Sequence, residues 1–370
     1  MRPTRALVDL TAVARNVRAL RGLTAAGVRQ MAVVKADAYG HGAVPVARAA
    51  LGAGAEWLGV ALVEEGADLR RAGIEAPILL LGAAFPEEAA DAVGAGLTVA
   101  VCGRETALAL DRAGAAQGRT AAVHVKVDTG MGRLGVPPAE AAAYTEWLSG
   151  LPHLRVEGLF SHFSAADEAD LSFSRAQLEE LLGVRQALAA RGLRPPLCHI
   201  ANTAAVMALP ESHLDLVRTG IGIYGLHPSP ETPRTADLEP ALRLTTRVAH
   251  VKDVPAGTPL SYGRTFVARQ PSRIATLPVG YGDGYPRLLS NRGQVLIGGR
   301  AVPIVGRVCM DLILADATSV PEARVGDEAV LIGPQGDASI GADELARLVG
   351  TIHYEITCNI GKRVPREYRG

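Results

Sequence analysis

Along the first 220 residues, short apolar runs alternate with stretches whose apolar positions recur at the three-to-four spacing of an amphipathic helix. The runs predict strands at 31–36, 56–62, 77–82, 97–102, 121–128, 156–162, 197–202 and 215–220. Helices are predicted between them at 44–51, 64–72, 87–93, 105–112 and 174–190. Continuous apolar runs, rather than alternating ones, mark strands buried on both faces, as in a parallel sheet. Eight strand–helix alternations predict an α/β fold of the (β/α)8 TIM-type barrel class. Six strands would leave an open doubly wound sheet in play, and no G-x-G-x-x-G follows the first strand.

Beyond Gly225 the pattern changes. The segment His227-Pro228-Ser229-Pro230-Glu231-Thr232-Pro233 cannot continue a helix and reads as a linker. After it, short strands separated by Gly, Pro and Asp turns are predicted at 242–254, 273–279, 294–297, 302–308, 312–315 and 328–332, with one helix near 343–349. The expected organisation is a barrel over 11–226 and a β-rich second domain over 238–370. The strand-like start, within 1–10, fits either domain.

Composition narrows the function classes. Lys+Arg and Asp+Glu are both 38 in 370 residues, so no excess charge argues for nucleic acid or a membrane surface as partner. Hydrophobic residues make up 48%, yet no run approaches the ~18 apolar residues of a membrane span. The opening Met1-Arg2-Pro3-Thr4-Arg5 leads into no signal-peptide pattern. Cys102, Cys198, Cys309 and Cys358 lie far apart, as reduced thiols of a cytoplasmic protein would.

Chemistry-bearing residues gather at the predicted strand ends. Lys35 ends the first barrel strand, facing the mouth where barrels keep their chemistry. Burial there disfavours the ammonium and frees the amine as nucleophile or base; the other reading is a lysine that snorkels to solvent. Lys126 lies on the fifth strand, and the glycines of Thr129-Gly130-Met131-Gly132-Arg133 let Arg133 approach a ligand. Lys126 reads equally as an inward lysine paired with Asp128. His162 ends the sixth strand beside Asp167, Glu168 and Asp170, but no compact spacing supports a metal, and none is expected. Asn202 and Thr203 after the seventh strand cap the next helix or hold a phosphate there. Arg218 is in the eighth strand, and Gly220 and Ile221 follow it where barrels bind phosphate through backbone N–H groups.

The segment Ala32-Val33-Val34-Lys35-Ala36-Asp37-Ala38-Tyr39-Gly40-His41-Gly42 resembles the pyridoxal-phosphate attachment site of alanine racemases. The resemblance implies that Lys35 anchors the cofactor as a Schiff base and that Tyr39 contacts its phosphate. It extends to the stretch around Lys126 and Arg133. There it implies that Arg133 contacts the substrate carboxylate and the cofactor's phenolic oxygen, and that Lys126 is carbamylated by CO2, as in many members. A carbamate would supply the anion that a buried Arg133 needs. Asn202, Thr203 (usually serine in the family), Gly220 and Ile221 are implied as cofactor contacts. Arg218 is implied as partner of the pyridine nitrogen, which a donor-only guanidinium leaves unprotonated.

The second domain resembles the family in Leu260-Ser261-Tyr262-Gly263-Arg264, Gly280-Tyr281-Gly282-Asp283-Gly284-Tyr285, Gly306-Arg307-Val308-Cys309-Met310-Asp311 and Ile352-His353-Tyr354-Glu355. Tyr262 is then the second catalytic base, aided by His162 bonded to Arg218. Met310 is a substrate contact through its backbone N–H, Tyr354 a phosphate-side tyrosine and Tyr281 an entrance residue. His353 stands where asparagine is frequent in the family.

The resemblance runs from about Lys35 to Arg366. It implies a homodimer in which Tyr262 and Met310 serve the partner's barrel mouth. The implied activity is two-base racemisation of alanine in a bacterial cytoplasm, supplying D-alanine for peptidoglycan. A racemase of another small amino acid, serine or a broad set, is the alternative. A fold-related decarboxylase and a non-catalytic cofactor-binding protein are disfavoured because Lys35, Tyr262 and Met310 are all present.

Overall fold

The computed structural model describes residues 2–370, which form two compact units. One comprises the chain up to Leu10, Tyr39–Gly42 and Pro240–Gly370; the other comprises Thr11–Ala38 and Ala43–Glu239.

The first strand of the chain, β1 (Arg5–Asp9), belongs to the sheet of the former unit. The barrel follows with β2 (Arg29–Val33), β3 (Trp57–Val60), β4 (Ile78–Leu80), β5 (Thr98–Val101), β6 (Ala121–Lys126), β7 (Leu154–Phe160), β8 (Leu197–His199) and β9 (Leu216–Thr219). All eight are parallel neighbours in the order β8-β7-β6-β5-β4-β3-β2-β9, a near-closed barrel. Between β8 and β9 the backbone bonds Asp215 N–H to Cys198 O (3.1 Å) and Arg218 N–H to Ala201 O (2.9 Å) span the seam. The interiors of β3, β4, β5, β8 and β9 are buried throughout, as continuous apolar runs require, whereas β7 opens at residues 155–157.

The helices lie between the strands as expected, with Thr203–Ala208 after β8 and two longer additions. Leu10–Arg21 is a helix burying Ala12, Val13, Asn16, Val17 and Leu20. Its stripe is interrupted by Asn16, whose side chain bonds the carbonyls of Ile223 (3.2 Å) and Glu239 (2.8 Å). Pro138–Ser149 is the other, started by its proline. The strands stop one to three residues short of most predicted C-terminal limits, because those residues turn to form the mouth.

In the second unit, residues 242–254 are not one strand but two, β10 (Leu242–Arg247) and β11 (His250–Val254). After them come β12 (Pro259–Leu260), β13 (Phe266–Val267), β14 (Ser272–Leu277), β15 (Gln294–Ile297), β16 (Arg300–Val305), β17 (Ile313–Asp316), β18 (Glu328–Gln335), β19 (Ala338–Ile340) and β20 (Arg366–Arg369). The main sheet runs β11-β14-β17-β16-β15-β18-β10-β1-β20, with β19 paired to β18. Here β1 pairs antiparallel with β10 and parallel with β20, and Ala6 enters the unit's apolar core beside Leu244 and Ile332. Helices Ala342–Val349 and His353–Cys358 complete the unit.

Candidate active site

After β2 the chain does not continue as strand to residue 36. Ala36, Asp37 and Ala38 adopt φ of 51–53° and ψ of 48–51°, and Tyr39 has φ 53°, a turn of left-handed helix. Each such residue costs about 1–2 kcal/mol because Cβ crowds the following carbonyl. Three bonds hold the turn: Ala38 N–H to Val34 O (2.9 Å), Ala36 N–H to the Glu65 carboxylate (2.6 Å) and Ala43 N–H to the Asp37 carboxylate (2.8 Å). Half-buried Lys35 is thereby held at the C-terminal end of the barrel. Gly40 follows at φ 85°, where a Cβ would strike the Thr357 carbonyl.

Lys126, the last residue of β6, is only 7% exposed, and its ammonium sits 4.4 Å from the Phe160 ring centroid. Burial, followed by the Arg218 and Arg133 charges, pushes its amine well towards the neutral form. The expected pairing with Asp128 is not formed. That carboxylate accepts the backbone N–H of Gly130 (3.1 Å) and Gly132 (3.0 Å) instead, and so folds the loop that carries Arg133. Arg133 is exposed rather than buried, because the loop extends past the strand end.

Arg218 on β9 is the organising cation. It is 4% exposed, and its guanidinium donates to His199 Nδ1 (2.7 Å), His162 Nδ1 (3.0 Å), Ser161 O (2.9 Å) and Ile200 O (2.9 Å). No carboxylate contacts it among the described residues, and burial lowers its pKa to about 9. His162 is held neutral by burial and then by Arg218, Lys126, Arg133 and Lys35, which act on it together. At the barrel mouth, therefore, the Arg218 guanidinium is bonded only to neutral groups, and Lys126 feels the charges of Arg218, Arg133 and Asp128.

Asn202 caps the helix Thr203–Ala208 through Ala205 N–H (3.0 Å). The Thr203 hydroxyl accepts the Gly220 N–H (2.9 Å), so Gly220 does not present an open donor. The 3-10 turn Ile221–Tyr224 begins with the N–H groups of Ile221 and Gly222, which precede its first bond, Ile223 N–H to Gly220 O (3.0 Å).

In the other unit, the Tyr39 and Tyr354 rings lie 5.9 Å apart, and burial raises the Tyr39 phenol above its ordinary range. His353 is buried, its ring 4.9 Å from Tyr354. Three loops meet elsewhere in this unit: Tyr281 N–H bonds Cys309 O (3.0 Å), Gly282 N–H bonds Met310 O (2.9 Å), and the Ser261 hydroxyl bonds the Arg307 backbone. These contacts bring Tyr262, Tyr281 and Met310 to one face. Tyr262 is 74% and Met310 52% exposed, and the Met310 N–H has no backbone acceptor among the described residues.

No motif in the sequence points to His124, Glu157 or His199. Their signal was present as inward-facing polar residues in otherwise apolar strands. No group of three His, Cys, Asp or Glu side chains is placed to hold a metal, and no helix is long and apolar enough to cross a membrane, among the described residues.

Comparison with known proteins agrees across both units. Residues 8–228 match the family model "Alanine racemase, N-terminal domain" and residues 241–368 match "Alanine racemase, C-terminal domain". An alanine racemase of Symbiobacterium thermophilum is 53% identical over all of this chain and 98% of that protein. One of Carboxydothermus hydrogenoformans is 48% identical, with both chains covered completely. The solved alanine racemase of Clostridium difficile superposes with a TM-score of 0.96 at 35% identity, covering 99% of this chain and 96% of that one. That of Bacillus anthracis with bound L-Ala-P gives 0.94 at 40% identity, covering 100% and 96%. With both family models matched along nearly its whole length, the chain belongs to the alanine racemase family.

Proposed function

We propose that this chain is a pyridoxal-phosphate-dependent racemase that interconverts L- and D-alanine in a bacterial cytoplasm, supplying D-alanine for peptidoglycan. The observation that carries the reading is the donor set at the barrel mouth. Arg218 is a buried guanidinium bonded only to neutral partners, Lys35 acts with it on His162, and the N–H groups that begin a 3-10 turn follow β9. A phosphorylated pyridine aldehyde fits that set: backbone donors would hold its phosphate, Lys35 would anchor it by its amine, and Arg218 would donate to its ring nitrogen. Asn202, Thr203 and Ile221 would hold the phosphate side, with the Tyr39 and Tyr354 hydroxyls assigned there by the family resemblance. Gly220 would serve by bracing the Thr203 hydroxyl.

When bound, the cofactor supplies an electron-accepting ring that eases loss of the alanine Cα proton. The protein supplies two bases on opposite faces of that carbon. Lys35 exchanges the proton of the D-enantiomer and Tyr262 that of the L-enantiomer. Arg218, which can only donate, leaves the ring nitrogen unprotonated and so limits side reactions. His162 accepts from Arg218 and passes its orienting influence to the second base. Arg133 and the Met310 N–H bind the substrate carboxylate, and Tyr281 lines the entrance.

Lys126 would carry a carbamate: its neutral amine adds CO2, forming the N–C bond and releasing one proton. The anion so formed would meet the charges of Arg218 and Arg133 that already act on Lys126. The exposure of Tyr262 and of the Met310 N–H fits residues that act in a partner's site, so the working unit is proposed as a homodimer.

The test is proton exchange in D2O with Tyr262→Phe. Removing a general base costs ~10²–10⁴ in rate. The variant should still wash deuterium into D-alanine through Lys35 and scarcely form the L-enantiomer. Equal exchange into both enantiomers would remove Tyr262 from this role, and CO2 release would replace racemisation by decarboxylation.

A further inference from the structure

Four strands of the barrel contribute one polar side chain each to a buried line that begins at Arg218 and ends away from the cofactor residues. Arg218 (β9) donates to His199 Nδ1 at 2.7 Å. His199 Nε2 (β8) lies 2.9 Å from His124 Nδ1 (β6). Among the described residues His124 Nε2 has no partner within hydrogen-bond distance, and the Glu157 carboxylate (β7) is 3.8 Å away. Both imidazoles are fully buried, while Glu157 is partly open and is bonded by Arg155 (3.0 Å) and Thr98 (3.4 Å).

The chemistry of the two ends sets a direction. A guanidinium donates only, so His199 Nδ1 must be bare and its proton must be on Nε2. That proton points at His124 Nδ1, which must therefore be bare too, and the His124 proton is on Nε2. It faces an acceptor-only carboxylate. Every member is thus a donor towards Glu157 and an acceptor towards Arg218, with both imidazoles neutral. A proton added to either histidine would set two donors against each other.

The fold makes room for this line. Phe160 stacks on His199 at 4.8 Å and 13°. The pairing of β6 with β7 slips one residue between Val123 and His124, and opposite His124 stands Gly158, where a Cβ would come within 2.6 Å of the imidazole. Among the described residues no carboxylate contacts Arg218, and Glu157 is the anion just beyond the end of its hydrogen-bond line, 3.8 Å from His124 Nε2.

We propose that His124 and Glu157 are positioning residues for racemisation, fixing the tautomer of His199 and thereby the guanidinium that faces the cofactor's ring nitrogen. The inference rests on the proposed reading of Arg218. Burial, first among its causes, keeps each histidine neutral. His124 and then Arg155 hold the Glu157 carboxyl down at about 2, so the terminal acceptor stays ionised at working pH. Both directions agree with the one-way line.

The experiment is histidine-selective ¹⁵N NMR on the holoenzyme, with steady-state kinetics of Glu157→Gln alongside. In the unmodified protein, His124 and His199 should each show a protonated Nε2 and a bare Nδ1. A glutamine keeps the shape but offers both a donor and an acceptor, so His124 and His199 should then populate both tautomers. Residues in such networks that touch no ligand shift coupling by about 0.5–2 kcal/mol, so kcat should fall between about 2-fold and 30-fold with KM unmoved. Finding His199 protonated on Nδ1, or as imidazolium, overturns the proposal. Expected tautomers with kcat unchanged in Glu157→Gln also overturn it, reducing the line to packing. The tautomers of the unmodified protein are read first, so a variant that misfolds leaves that half of the test standing. Absence of alanine turnover in the unmodified enzyme would defeat the functional reading instead, and the tautomer pattern, read without turnover, judges the line by itself.

Discussion

The left-handed turn after Lys35 makes a sign prediction that few alanine-to-glycine substitutions offer. Four consecutive residues with φ near 52° store about 4–8 kcal/mol of backbone strain. Ala36 is exposed, so removing its Cβ sacrifices little burial. Ala36→Gly relieves about 1–2 kcal/mol and pays about 0.5–1 in added unfolded-chain entropy, for a net stabilisation of about 0.5–1 kcal/mol. Ala50, in the right-handed helix Ala43–Gly52 and fully buried, is the internal reference. There glycine loses about 1 kcal/mol of helix propensity and about 0.8 of burial, destabilising by roughly 2. Both tryptophans, Trp57 and Trp147, lie in the barrel unit, so their fluorescence in a urea titration follows that unit. The midpoint should rise for Ala36→Gly and fall for Ala50→Gly. Activity of Ala36→Gly should fall, because glycine lets the segment beside Lys35 leave the left-handed turn more readily. A midpoint that falls for both variants would refute the account of the turn.

Two further outcomes follow from the proposed site. Mixing inactive Lys35→Ala and Tyr262→Phe subunits should return roughly a quarter of wild-type sites, since about half the dimers are mixed and each carries one intact site; no recovery after verified subunit exchange would place both bases in one chain. With ¹³C-labelled bicarbonate, a carbamate carbon resonance should appear and vanish in Lys126→Ala, whereas its persistence in that variant would move the modification elsewhere.

Much of the architecture was legible because it depends on local composition. Strands buried on both faces must be apolar throughout, so the eight barrel strands stood out, and glycine and proline marked the β-rich second unit. Lys35, Arg218 and Tyr262 were also legible, through the motifs around them. The helix Leu10–Arg21 was obscured by Asn16, whose burial depends on the carbonyls of Ile223 and Glu239, more than 200 positions away. Residues 242–254 read as one strand because the break at 248–249 carries apolar residues.

What only the tertiary structure decided concerns partners distant in sequence. The first strand is strand-like by itself, but its place beside β10 and β20 comes from an edge that exists only once the sheet has formed. Ala36–Tyr39 contains no glycine, so nothing local announces a left-handed turn; Glu65 and the geometry after β2 impose it. Arg133 looked buried from its glycine-flanked position, yet Asp128 folds its loop outward. The line from Arg218 to Glu157 joins residues on four strands, and each histidine alone is indistinguishable from an ordinary core residue. By itself the sequence determined which side chains are present and which faces must be buried, because propensity and burial act residue by residue. The tertiary structure decided which donors meet which acceptors, because hydrogen bonds form only between atoms that folding has brought together.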